Sequence, residues 1–295
     1  MTRARIAAVA TCLALVLGAS AWRLAHRNAP HPMPRLAVAG GDAGGLPRAT
    51  PAEEHFDDAA VAAALATARS ENGAAFIVMR HGHVVVEDYG NGHDREMRVD
   101  VGGFAAALAA RVAGAVGERG EAAATGNAAG LDYAQLLSKH IWARLNAAPA
   151  WIELPRAGAR PPTQCCFHAR AVDWMRVANL LLDDGSFEGE RLVAPTTVRR
   201  LLATSFAPAM AATAAEPAAA NDLVLLRGAG HWRLWLVPSL KLAVLFGAEA
   251  AAASAADAPR PWDEMRLPNQ VIRAITDRPS QPLSRSALQQ LVPGH

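Results

Sequence analysis

Lysine is almost missing from this chain. There are two, Lys139 and Lys241, and neither stands three residues after a serine. With 29 basic residues in all, the other 27 are arginines, scattered among 27 acidic residues for a net charge of +2. No basic stripe forms, which excludes a surface that tracks nucleic-acid phosphates. Cysteine is limited to Cys12, Cys165 and Cys166, so no second pair exists to complete a tetrahedral zinc site. Tyrosine occurs twice, at Tyr89 and Tyr133, against seven tryptophans. From Met97 to Gly120 there is no Ser, Thr, Cys or Lys. That stretch therefore supplies no hydroxyl, thiol or primary amine for covalent catalysis.

What is present suits one large domain behind a targeting segment. The chain has 295 residues, 52% of them hydrophobic and 19% charged, a globular composition with ample core. Arg3 and Arg5 precede an apolar run from Ile6 to Trp22, and Ala19-Ser20-Ala21 fits an A-x-A cleavage site. Residues 1–23 are thus read as a signal peptide or an inner-membrane anchor. Cys12 follows Thr11 rather than a small Gly or Ala, which argues against lipid attachment. Residues 24–52, rich in Pro, Gly and Ala, read as a linker. The domain is expected over 53–278, with a tail at 279–295.

Within the domain, Asp57 or Asp58 can cap a helix carrying Val61, Leu65 and Ala68, ended by Asn72-Gly73. Phe76–Met79 and Val84–Val86 read as strands of a hairpin turned at Gly82. Phe104, Leu108, Val112 and Val116 predict a helix. Further helices are expected over Leu131–Leu145, entered through Gly130 and Asp132, over Val172–Leu182, closed by Asp183-Asp184-Gly185, and from Pro195 to Leu202. The Ala-rich stretch 207–220 reads as a loop. Strands follow at Asp222–Leu226, Trp232–Val237 and Leu242–Phe246, the last two joined at Pro238-Ser239, then a helix over Asn269–Ile275. Hairpin-joined strands with grouped helices make an α+β fold, an antiparallel sheet flanked by helices.

Three segments resemble the serine hydrolases related to class C β-lactamases and penicillin-binding proteins. Ala74–Gly90 resembles their opening hairpin. Cys165–Pro195 resembles their small-residue turn, Asp-Trp helix start, Leu-rich helix, D-G-x-x-x-G turn and Pro-started helix. Gly228–Val244 resembles the closing hairpin with its V-P-S-L turn, and His140-Ile141-Trp142 adds to the match. The resemblance implies a β-lactamase/transpeptidase-like fold with a shortened helical region, since only EAAATGNAAG separates Gly120 from Leu131. It is closest to the branch acting on short amides, esters and D-amino-acid peptides.

That family works through Ser-x-x-Lys, Tyr-x-Asn and Lys/His-x-Gly. Aligned on this chain, Val99 stands where the nucleophile belongs and Gly102 where the lysine belongs. Arg98 cannot act as the base, because guanidinium stays protonated. Tyr89-Gly90-Asn91 has the second pattern but closes a strand, and Tyr133 has no Asn two residues on. The third motif is reduced to the surroundings of Gly228, Gly230 and His231. A remnant cleft is therefore expected around Val99, Gly102, His231 and Trp232. Trp232 and Trp235, three apart on a strand, point to opposite faces, so one should be core.

Other constellations are weaker. Cys165 and Cys166 with His168 could offer a thiol or a metal ligand, yet two small residues packed at a turn explain them as well. His81 and His83, with His93-Asp94 behind them, fit a solvated turn better than a metal site lacking a third ligand. Asp173 reads as a helix cap. The expectation is an exported, periplasmic, catalytically inactive protein without cofactor or metal, binding a peptide or peptidoglycan fragment and no nucleic acid. Its rivals are a hydrolase rebuilt around Cys165, His168 and His231, and a purely structural envelope protein.

Overall fold

The structure is a computed structural model describing residues 33–101, 129–159, 166–204, 222–228, 230–248 and 263–277. All elements below lie in the unit Arg35–His295. In chain order they are β1 (Arg35–Val38), α1 (Asp58–Ser70), β2 (Gly73–Arg80), β3 (His83–Tyr89), β4 (Arg98–Asp100) and α2 (Ala129–Leu137). Then come β5 (Ala150–Glu153), β6 (Phe167–Arg170), α3 (Ala171–Leu182), β7 (Ser186–Phe187), β8 (Glu190–Arg191) and α4 (Pro195–Thr204). β9 (Val224–Arg227), β10 (Arg233–Val237), β11 (Leu242–Ala248) and α5 (Arg266–Ala274) complete the set.

The large sheet runs β3-β2-β11-β10-β9, antiparallel throughout. Its strands alternate between two cores, as a period-two pattern buried on both faces must. Ala75, Ile77 and Met79 of β2 join Leu234, Leu236, Ala243 and Leu245 against α3. Phe76 and Val78 face the other way with Trp235, Val244 and Phe246, against Val61, Ala64 and Ala68 of α1 and Val271 and Ile272 of α5. Asp57 caps α1 by accepting from the Ala60 amide at 2.8 Å, as its sequence position predicts. The β2–β3 turn has positive φ at both His81 (47°) and Gly82 (85°), the conformation a two-residue hairpin requires.

Several expectations are corrected. The linker ends early, because Arg35–Val38 is the edge strand of a second sheet, order β1-β5-β6-β4. Arg35 pairs with Glu153 and Val38 with Ala150. Val38 is fully buried and Leu46 nearly so, so this stretch belongs to the core. The helix expected over Leu131–Leu145 starts at Ala129, so Gly130 and Asp132 lie inside it, and it passes at Ser138 into one π turn ending at Trp142. There the buried Trp142 indole donates to Ala148 O at 2.7 Å. Asp173 is no cap: α3 begins at Ala171, and Asp173 is fully buried in its first turn. The segment 1–23, the Phe104 helix, the 207–220 loop and the tail 279–295 lie outside the described residues.

Asp222, fully buried before β9, ties the turn between β10 and β11 by accepting from the Ser239 amide and from Ser239 Oγ at 2.9 Å. Burial pushes its carboxyl above the ordinary 3.8, and the Ser239 bonds offset this only in part. The folded chain thus holds this proton more tightly than the unfolded chain. Its stabilising contribution is full below the ordinary carboxylate value and is lost as pH rises through the raised folded value. The stability of the protein relative to an Asp222→Asn variant should therefore fall between pH 3.8 and neutrality. Urea midpoints at several pH values check this, and a difference that stays flat or rises would refute it.

Candidate functional site

The expected nucleophile position lies in the short strand β4. Val99 is 5% exposed, pairs with Ala169 of β6 and sits in the core beneath the small sheet. Its carbonyl accepts from the Trp174 indole at 3.0 Å. A side chain at this position therefore packs inward with Phe167 and Ala169. Gly102 lies outside the described residues.

The end of β4 meets the end of the β9–β10 hairpin. A Cβ added at Gly228 would fall 2.6 Å from Asp100 O, 2.8 Å from Val101 Cα and 2.9 Å from Trp232 Cβ. Only glycine lets the two backbones approach this closely. The segments aligned with the first and third motifs are thus in direct contact. Trp232, half-buried, lays its ring across Gly247, where a Cβ would come within 2.2 Å of it. Trp235 is 1% exposed in the opposite core, so the expected split between the two indoles holds. His231 is exposed in the turn entering β10. Glu264 accepts from Arg227 at 2.7 Å and from Arg233 at 2.7 Å. Burial alone would raise the Glu264 carboxyl, but these two guanidinium groups outweigh it and hold it below the usual carboxylate range.

Among the described residues, Lys241, Tyr89 and Cys166 are held by partners away from the β4–β10 junction. Lys241 donates to Leu182 O and lies 3.6 Å from Asp183, at the far end of α3. The Tyr89 hydroxyl donates to Glu87 at 3.0 Å, and burial together with that carboxylate raises its pKa. Burial pushes Tyr133 up to about 12, leaving a phenol that does not ionise near neutrality. Cys166 is disulfide-bonded, which removes its thiol, while Cys165 lies outside the described residues.

His168 occupies a face that sequence reasoning did not assemble. It stacks on Trp151 at 5.6 Å and 15°, with Nε2 3.4 Å from Glu153. The guanidinium groups of Arg35 and Arg98 lie 4.6 and 5.1 Å from the same indole centroid. Asp100, opposite His168 in the ladder, accepts from the Cys166 amide. These residues come from four strands of three or four residues, too short for periodicity to reveal.

No family model matches the chain, and no curated protein sequence matches it. Solved structures do. A protein of Bacillus anthracis assigned as a 6-aminohexanoate-dimer hydrolase superposes with a TM-score of 0.55, at 10% identity, over 73% of this chain and 85% of that one. A protein of Bacteroides dorei DSM 17855 assigned as a β-lactamase gives a TM-score of 0.46, at 13% identity, over 67% and 92%. At such identities the first likeness establishes the fold alone. The chain shares the fold of the Bacillus anthracis protein, α+β with antiparallel sheets and flanking helices, the fold class its motifs led one to expect.

Proposed function

We propose that this chain is a catalytically inactive protein on a β-lactamase-like fold, exported to the cell envelope, where it binds a peptide or cell-wall fragment beside the β4–β10 junction. The observation that carries the reading is the contact of Gly228 with Asp100 and Val101. It supports the alignment that places Val99 at the nucleophile's position, where the side chain is buried and aliphatic. Removing nucleophile or base from such a unit costs several orders of magnitude in rate. The commitment of Lys241, Tyr89 and Cys166 to other partners speaks against a rebuilt site among the described residues. The export part rests on the basic flank and apolar run of residues 1–23. The assigned substrate of the Bacillus anthracis neighbour makes short linear amides the natural first ligands to try.

The test is active-site labelling of the full chain with fluorophosphonate, β-lactam and thiol-reactive probes, followed by mass mapping. No adduct from the serine probes and only slow, unselective thiol labelling is expected. A Val99→Ser/Gly102→Lys variant should behave alike, since position 99 faces the core. A stoichiometric adduct on one residue of the natural chain would overturn the reading and name the nucleophile.

A further inference from the structure

The two faces of the small sheet differ in character. Directly opposed residues share a face, and neighbours along a strand alternate. Leu36, Val38, Ile152, Phe167, Ala169 and Val99 therefore point one way, into the core shared with α3. Arg35, Trp151, Glu153, His168 and Arg98 point the other way and join neither core. This outer face gathers on one half-buried indole. His168 stacks on Trp151 at 5.6 Å, and the guanidinium groups of Arg35 and Arg98 lie 4.6 and 5.1 Å from its centroid. The Arg35 side chain, 53% exposed, meets Glu153 at 3.0 Å. Arg98 donates to the neutral Pro149 carbonyl at 2.5 Å and has no carboxylate partner among the described residues. The Trp151 indole N–H is buried without an acceptor, which buried donors normally have. Arg170 and Asp100 share this face but are buried, the first held by Asp173 and the second by the Cys166 amide. The part that reaches solvent thus carries two guanidinium groups against one carboxylate.

We propose that this face docks on the anionic phospholipid headgroups of the membrane in which the chain is anchored. The inference rests on the export reading, with residues 1–23 kept as the anchor. Strand β1 opens at Arg35, and only residues 23–34 separate it from the apolar run ending at Trp22. At full extension that stretch spans at most about 40 Å, so an anchored domain keeps this edge close to the bilayer. Indole rings settle at the headgroup level, and arginine lays its apolar stem along such a surface while its head pairs with phosphate. Lipid phosphates thus take the Arg35 and Arg98 guanidinium groups, and the Trp151 N–H gains the acceptor it lacks. Two arginines would hold no free protein to a bilayer. Tethering makes docking an intramolecular step at raised effective concentration, where so small a patch suffices.

Full-length protein in vesicles of phosphatidylcholine, alone or mixed with phosphatidylglycerol, tests this by flotation and by phenylglyoxal labelling of arginines with mass mapping. The chain should float with both lipids. Labelling of Arg35 and Arg98 should slow at least about fivefold in the anionic vesicles, the factor one basic side chain gains at such a surface. Arg69, 62% exposed on α1, should label equally in both. High salt should restore labelling of the first two by screening the headgroups. Glu153→Gln removes the face's own exposed carboxylate and should deepen the protection, a gain that misfolding cannot mimic. Failure to float with phosphatidylcholine overturns the anchoring reading, and the docking with it. Flotation with equal labelling of Arg35 and Arg98 in the two lipids overturns the docking alone. Protection that appears without lipid and grows with protein concentration assigns the face to a second copy and likewise overturns it.

Discussion

Asp173→Ala is expected to lower the unfolding free energy by about 3–5 kcal/mol, the cost of leaving buried charges unpaired. Asp173 is fully buried at the start of α3. It accepts from Arg170 at 2.8 and 3.1 Å, from Arg176 at 3.2 Å and from the Ala148 amide at 3.2 Å. Side-chain exposure of the two arginines is 9% and 2%. They respond oppositely. Hydrogen bonds to Asp173 raise the pKa of Arg170, helped by Glu96, whereas burial lowers that of Arg176 despite the same carboxylate. Arg176 is the deeper of the two and would suffer most, being left with only the neutral acceptors Leu145 O and Gly44 O. Asp173→Asn keeps the shape and one acceptor, so its loss should be intermediate. Urea denaturation measures both, and a loss below about 1 kcal/mol in Asp173→Ala would mean that water enters and solvates the arginines.

Trp174→Ala should be comparably severe, about 3–5 kcal/mol, from lost burial and the cavity left behind. Trp174 is 1% exposed and meets Trp142 and Phe167 edge-on, with centroids 5.9 and 5.4 Å away. Its indole also donates to Val99 O, so it positions β4. Trp174→Phe keeps an aromatic ring but drops that bond, at a net cost of about 1 kcal/mol for the bond itself. The readout that separates packing from positioning is amide exchange in β4. If Trp174 holds this strand, protection of residues 98–101 should fall in Trp174→Phe more than global stability does. Equal declines would make the indole a packing residue only. Asp173 and Trp174 are adjacent on one helix, so their effects should not add in the double variant.

Sequence alone determined the helices α1, α3, α4 and α5 and the strands of the large sheet. Their apolar residues repeat at helical or strand spacing, and their ends carry local punctuation such as Asp57, Gly82 and Pro195. It also settled what chemistry is missing between Met97 and Gly120, because an absent side chain needs no coordinates. Only the tertiary structure decided the rest. The small sheet joins Arg35 to Glu153 and Arg98 to Arg170, strands too short for a pattern and paired across long stretches of chain. Asp173 looked like a cap from its place before Trp174; its arginine partners stand three residues either side of it along α3, but its burial and the bond from the Ala148 amide come from α3 docking on the Ala148 segment. The contact of Gly228 with Val101 and the meeting of His81 and His83 on Glu54 are likewise long-range. Local sequence encodes backbone preference and periodicity, whereas which buried charge finds which partner depends on how the elements close around one another.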